Sequence, residues 1–210
     1  MTKDLKKNEE HLGMIFIPDI SGFTKYVHGI DVKLRKEIIS ELLSTILNTN
    51  ILNLKVSEIE GDAILFYRYG ALPTFKDLMN QYEIMLITFK RKLRELTQGR
   101  PSLIPELSLK LLVDYGTITE YKQFGFSKLG MAIVVAHKLL RNNIPSQNYI
   151  LVTKEFLHQF QNQKANEIIL PEWVTQRTTE VDGSLFTYFL YDTEILKGNV
   201  LQERKKENPD

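Results

Sequence analysis

The order of apolar runs, helical periodicities and turn signals along this chain predicts an α+β fold, with helices packed on one face of a mostly antiparallel sheet. Two long stretches, Val32–Thr49 and Phe75–Leu96, repeat apolar residues at helical spacing. Shorter apolar stretches around them have the length and β-branched or aromatic content of strands. Pairs of those strands flank Glu60-Gly61-Asp62 and Asp182-Gly183, which are hairpin signals. A chain of 210 residues can bury one substantial core. The expected division is a disordered or variable N-terminus at 1–12, a single domain at 13–195 and a charged tail at 196–210.

Gly13–Ile20 is an apolar run rich in Ile and Phe that ends in Pro18, Asp19 and then Gly22, as a buried strand feeding a loop would. In Val32–Thr49 the apolar positions Leu34, Ile38, Leu42, Leu43, Ile46 and Leu47 form one helical face. Leu52–Ile59 and Ala63–Tyr69 read as a strand pair with Asp62 at or beside the turn. The second helix, Phe75–Leu96, is bounded by Pro73 and by Gly99-Arg100-Pro101, and Gly99–Pro105 is expected to be a loop. Leu107–Asp114 and Thr117–Tyr121 flank Tyr115-Gly116 and are expected to form another hairpin, before a loop and a helix over about Met131–Arg141. A strand at Tyr149–Thr153, a short helix at Glu155–Gln163 and a closing hairpin, Thr178–Val181 with Leu185–Tyr191, complete a ferredoxin-like arrangement. The tail Gln202–Asp210 is charged and is expected to be disordered.

Composition narrows the function. Hydrophobic residues make up 43% and charged residues 25%, the balance of a soluble globular protein. Net charge is +1, so no whole-molecule field favours nucleic acid or an anionic membrane. The absence of cysteine excludes disulfides and thiolate metal sites, and with no apolar leader or span the expected location is the cytoplasm. His11, His28, His137 and His158 lack metal-ligand spacing. Lys90, Arg91, Lys92 and Arg94 read as a solvated helix face rather than a nucleic-acid surface, and Trp173 as a core residue.

Two carboxylates remain as candidates: Asp19 in Pro18-Asp19-Ile20-Ser21-Gly22-Phe23-Thr24, and Asp62 in Glu60-Gly61-Asp62. Either alone is what a turn requires. Together, if the first strand lies beside the hairpin, they converge on hard divalent cations such as Mg²⁺, which take oxygen ligands and bridge to phosphates. The loop Ser21, Gly22, Phe23 and Thr24 would then offer backbone N–H groups to those phosphates.

Phe16–Thr24 resembles the first signature of class III adenylyl and guanylyl cyclases, and Glu58-Ile59-Glu60-Gly61-Asp62-Ala63 resembles the second. Leu109–Thr117, Gly130–Leu139 and Val181–Leu190 resemble three later elements, so the likeness runs from about Ile15 to Tyr191. The chain is also similar to a bacterial family of cyclase-related proteins that shares the Pro-Asp-Ile-Ser-Gly-Phe-Thr and Ser-Glu-Ile-Glu-Gly-Asp-Ala motifs. The resemblance implies the class III nucleotidyl cyclase fold, Asp19 and Asp62 as metal ligands with the Ile20 carbonyl between them, and Mg²⁺ or Mn²⁺ as cofactor. It implies attack of a ribose 3′-hydroxyl on the α-phosphate of a nucleoside triphosphate, giving a 3′,5′-cyclic nucleotide and pyrophosphate. It places Glu58 and Ser127 at the base, a pair that leans towards GTP because a carboxylate accepts from guanine's N1–H and 2-amino group. It further implies a head-to-tail homodimer with two shared sites, and no DNA, RNA or membrane partner.

The chain departs from the cyclase pattern at three positions. Val134 stands where active cyclases have the Asn that orients the ribose. Lys138 replaces an Arg, keeping the charge that would serve the phosphates but losing the planar fork. Asp182 aligns with a phosphate-contacting Lys and reverses its charge. Two expectations follow: a divergent cyclase with Asp19, Asp62 and Lys138 as its catalytic residues, or a catalytically degenerate cyclase fold serving as a nucleotide-sensing or dimerising module. A structural protein that keeps the aspartates as turn residues is the third.

Overall fold

The computed structural model describes residues 9–22, 32–98, 107–123, 126–129, 139–140, 142–161 and 168–198. Its strands are β1 (Glu9–Ser21), β2 (Lys55–Glu60), β3 (Ala63–Tyr69), β4 (Ser108–Gln123), β5 (Phe126–Leu129), β6 (Tyr149–Val152), β7 (Val174–Val181) and β8 (Ser184–Tyr191). The helices are α1 (Val32–Asn48), α2 (Phe75–Leu96) and α3 (Lys154–Gln161). Seven strands follow the order β2-β3-β1-β4-β6-β8-β7, and β5 adds to β4, in one eight-stranded sheet. All pairings are antiparallel except β4 with β6. That parallel step needs a crossover, and the chain between the two strands supplies it.

Alternation along the strands splits the interior in two. Met14, Phe16 and Ile20 of β1, Ile64 and Phe66 of β3, and Leu109, Leu111 and Val113 of β4 point to the helix-covered face. There they meet Ile38, Leu42 and Ile46 of α1, a run of α2 residues from Phe75 to Leu93, and Phe156 and Phe160 of α3. The residues between them, Ile15, Ile17, Ala63, Leu65 and Leu112, point to the other face, where Leu139, Leu140 and Ile144 cover them in part. Thr74 caps α2 by accepting from the Asp77 N–H at 3.1 Å, which explains why the helix starts at Phe75.

Two of the three expected hairpins form. Gly61-Asp62 closes β2 on β3 with positive φ at Gly61, the pattern of a type II′ turn, and Asp182-Gly183 closes β7 on β8 with positive φ at both, that of type I′. The expected hairpin at Tyr115-Gly116 does not form. β4 runs straight through it, because every residue from Ser108 to Glu120 is paired with β1, and Gly116 sits opposite Gly13 in that ladder. β1 itself starts at Glu9, four residues before the apolar run. Trp173 packs against the helix-side core and donates its indole N–H to Glu83 at 2.9 Å. The expected loop at Gly99–Pro105, most of the helix at Met131–Arg141 and the tail at Gln202–Asp210 lie outside the described residues. Among the described residues no helix is long and apolar enough to cross a membrane.

Candidate functional site

β1 is the middle of the three strands that build the site. Asp19 pairs with Ala63 on β3 and with Lys110 on β4. Asp62 immediately precedes Ala63, and its carbonyl accepts the Ile20 N–H at 3.1 Å. The two aspartates, distant in sequence, therefore lie close together at one end of the sheet, Asp19 on β1 and Asp62 in the turn that leads into β3. In an antiparallel ladder a residue's N–H and carbonyl point the same way, so the Ile20 carbonyl also faces the Asp62 side. Pro18 precedes them. It lacks an N–H, and the β1–β3 ladder is interrupted between the Phe16–Phe66 and Asp19–Ala63 pairs. A proline in a central strand is uncommon, and local rules are most often broken beside functional groups.

One row across the sheet carries Glu60, Ala63, Asp19 and Lys110, with Tyr149 next by continuation of the β4–β6 register. The following row is Glu58, Leu65, Ile17, Leu112, Leu151 and Tyr188. Polar groups thus stand against an apolar wall. The Lys110 ammonium lies 3.6 Å from Asp19 Oδ1, with side chains only 18% and 13% exposed respectively, and it donates to the Leu140 carbonyl at 3.0 Å. Burial holds the Asp62 carboxyl above its ordinary value, although a backbone hydrogen bond and the Lys110 charge pull it down. The Tyr149 phenol, bonded to Asn142 at 2.9 and 3.1 Å, is pushed up to about 12 by burial, with the Asp19 charge adding to the rise. On the other side of the Asp19 row, Ser21 pairs with Ser108, whose hydroxyl donates to Asn148.

The remaining expected site residues divide in three. Ser21 is buried at the end of β1, and Gly22, with positive φ, turns the chain out of the strand. Glu58 sits on β2 and Ser127 on β5, two strands that contact each other. Phe23, Thr24 and Lys138, like Val134, lie outside the described residues. Asp182 lies at the opposite end of the sheet from Asp19: the Tyr149 end of β6 pairs with Leu190, and the turn is about 20 Å back along β8. Lys110, Ser108, Asn148 and Tyr149 did not emerge from the sequence. The one signal for Lys110 was its place as a charge inside the apolar run Leu109–Val113.

Residues 39–149 match the family described as protein of unknown function (DUF2652). The chain belongs to that family. No curated protein matches it. The fold of this family member is that of class III nucleotidyl cyclase domains. Against the adenylyl cyclase CyaB from P. aeruginosa the TM-score is 0.62 at 13% identity, covering 89% of this chain and 96% of that one. Against the guanylyl cyclase Cya2 it is 0.62 at 14% identity, covering 87% and 92%. Against the guanylate cyclase domain of RhGC from Catenaria anguillulae, in complex with GTP, it is 0.55 at 13% identity, covering 86% and 97%. Likeness at such identities speaks for the fold of this family member and not for its chemistry.

Among the described residues no group of three or more His, Cys, Asp and Glu side chains could hold a metal ion. The donor set of two carboxylates and a strand carbonyl nevertheless suits Mg²⁺ or Mn²⁺. Such ions are commonly held by one or two carboxylates and complete their shell with water and phosphate oxygens.

Proposed function

We propose that this protein binds a nucleoside triphosphate together with Mg²⁺ or Mn²⁺, as a divergent member of the class III nucleotidyl cyclase fold. One observation carries the reading: Asp19 on β1 and Asp62 in the turn that leads into the neighbouring strand β3 are joined by the Ile20–Asp62 backbone hydrogen bond at the end of a cyclase-like sheet. Asp19, Asp62 and the Ile20 carbonyl hold the cations, which supply charge neutralisation for the triphosphate. Ser21 and Gly22, followed by Phe23 and Thr24, line the phosphate side, and Lys138 adds a cation there. Glu58 and Ser127 read the base, with GTP favoured.

A head-to-tail homodimer completes the site. Asp182 is far from the aspartates of its own chain, as a residue that serves the partner's site would be. The unit that dimerises is the single domain 13–195.

The second reading is a nucleotide-sensing or dimerising module without turnover. Asp182 favours it: exposed at its turn, it sets a carboxylate where the resemblance expects a cation. Both readings require metal-dependent triphosphate binding. Calorimetry of the full chain with GTP, ATP, CTP and UTP in Mn²⁺ should detect binding, tightest for GTP, and Asp19→Ala should abolish it. Unchanged binding by Asp19→Ala, or none by the wild type, would overturn the assignment. Analysis of products after long incubation then separates a cyclase, which releases pyrophosphate, from a sensor, which returns the triphosphate intact.

A further inference from the structure

Lys110 lies in the row of Asp19, one residue along from Asp62, and neither the motifs nor the fold likeness assigns it a role. Its ammonium is 3.6 Å from Asp19 Oδ1 and acts electrostatically on Asp62 as well, so one positive charge serves both acids. The Leu140 carbonyl, 3.0 Å away, tethers it from the covering segment. With its side chain 18% exposed, the lysine has little room to leave the site.

We infer that Lys110 is a resident cation of the acidic pair, a positioning residue that competes with the divalent metal and sets the metal affinity of the site. This inference rests on the metal-binding reading of Asp19 and Asp62. Without metal, the ammonium offsets the repulsion between two carboxylates withdrawn from water. When metal arrives, the tether keeps the ammonium near. An ion coordinated by Asp19 Oδ1 at about 2.1 Å could be no more than about 6 Å from an ammonium that stays where it is. At that separation a divalent and a monovalent cation repel enough to weaken binding about tenfold even with the dielectric constant of water, and by more in a partly buried site.

A lysine that only holds the strands in place predicts the opposite sign. Its removal would loosen Asp19 and weaken metal binding.

Mn²⁺ titration of the nucleotide-free full chain, followed by electron paramagnetic resonance, reads that sign. Lys110→Met should bind Mn²⁺ about tenfold or more tightly than the wild type. Lys110→Arg, which keeps the charge, should stay within about threefold of it. Asp19→Asn should lose the ion in either background. Thermal melts report whether each variant folds, and Lys110→Gln stands in for Lys110→Met should the latter not fold. In the unmutated chain, Mg²⁺ saturation should also shift the side-chain ¹⁵N resonance of Lys110, assigned by its absence from Lys110→Arg.

Equal or weaker Mn²⁺ binding by the folded neutral variants, while the wild type binds through Asp19, overturns the role of Lys110 and leaves the metal site standing. Absence of Asp19-dependent Mn²⁺ binding in the wild type and in the neutral variants alike overturns both.

Discussion

The two faces of the central sheet are built by alternate residues of the same strands, yet they do different work. Leu111 points into the helix-covered core and is fully buried, whereas its neighbour Lys110 points to the opposite face and pairs with Asp19. Ile20 and Asp19 repeat the contrast on β1. The helix side is closed by α1, α2 and α3 and contains most of the large apolar side chains. At one end the other side exchanges that packing for carboxylates, an ammonium, hydroxyls and amides. A fold can carry such a cluster because apolar burial on one face stabilises the strands while the other face spends part of that stability on desolvated charge.

Truncating the helix face should produce the largest loss. Leu111→Ala leaves a cavity among packed residues and should cost about 2–5 kcal/mol in urea unfolding, with Mn²⁺ affinity per folded molecule unchanged. A large change in affinity at unchanged stability would break the separation of the two faces.

Gly13→Ala tests the contact between the strands themselves. A Cβ at Gly13 would stand 2.7 Å from the Arg68 carbonyl oxygen and 2.8 Å from Ile118 Cδ1, and the carbonyl belongs to a paired strand that cannot retreat cheaply. About 1–3 kcal/mol should be lost in the same assay, and no loss would mean that β1 can shift within its ladder.

The smallest effect should come from Asp62. Burial raises its folded-state carboxyl above the ordinary 3.8, so the stability it contributes is fully present below that value and is lost as pH rises through the folded one. At neutral pH its charge therefore works against the fold. Asp62→Asn should melt at the same temperature as the metal-free wild type at pH 7 or up to about 2 °C higher, and the gain should shrink below pH 4, while Mn²⁺ binding is lost. A clear drop in melting temperature at pH 7 would mean that its hydrogen bond and Lys110 outweigh burial.

Much of this was legible locally. Gly61-Asp62 and Asp182-Gly183 are turns because glycine, or an Asp beside it, accepts the positive φ that a two-residue hairpin demands. The α2 boundaries followed from its periodicity and from Pro73 ahead of the Thr74 cap. Tyr115-Gly116 carried the same kind of signal and misled, because an unbroken partner strand on β1 outweighs a turn preference of a few tenths of a kcal/mol or so. Only its place inside the apolar run Leu109–Val113 distinguished Lys110 from a solvated lysine. Its importance lies in register, since a one-residue slip of β4 against β1 would send it to the apolar face.

The sequence by itself determined the kinds of element, two of the tight turns and the pair of acidic motifs, because each depends on backbone preference and side-chain chemistry over a few residues. Tertiary structure alone decided that β4 is one strand, that Asp19 and Asp62 share an end of the sheet, and that Lys110 stands beside them. Those facts depend on strand pairing between residues far apart in the chain, which no short window of sequence encodes.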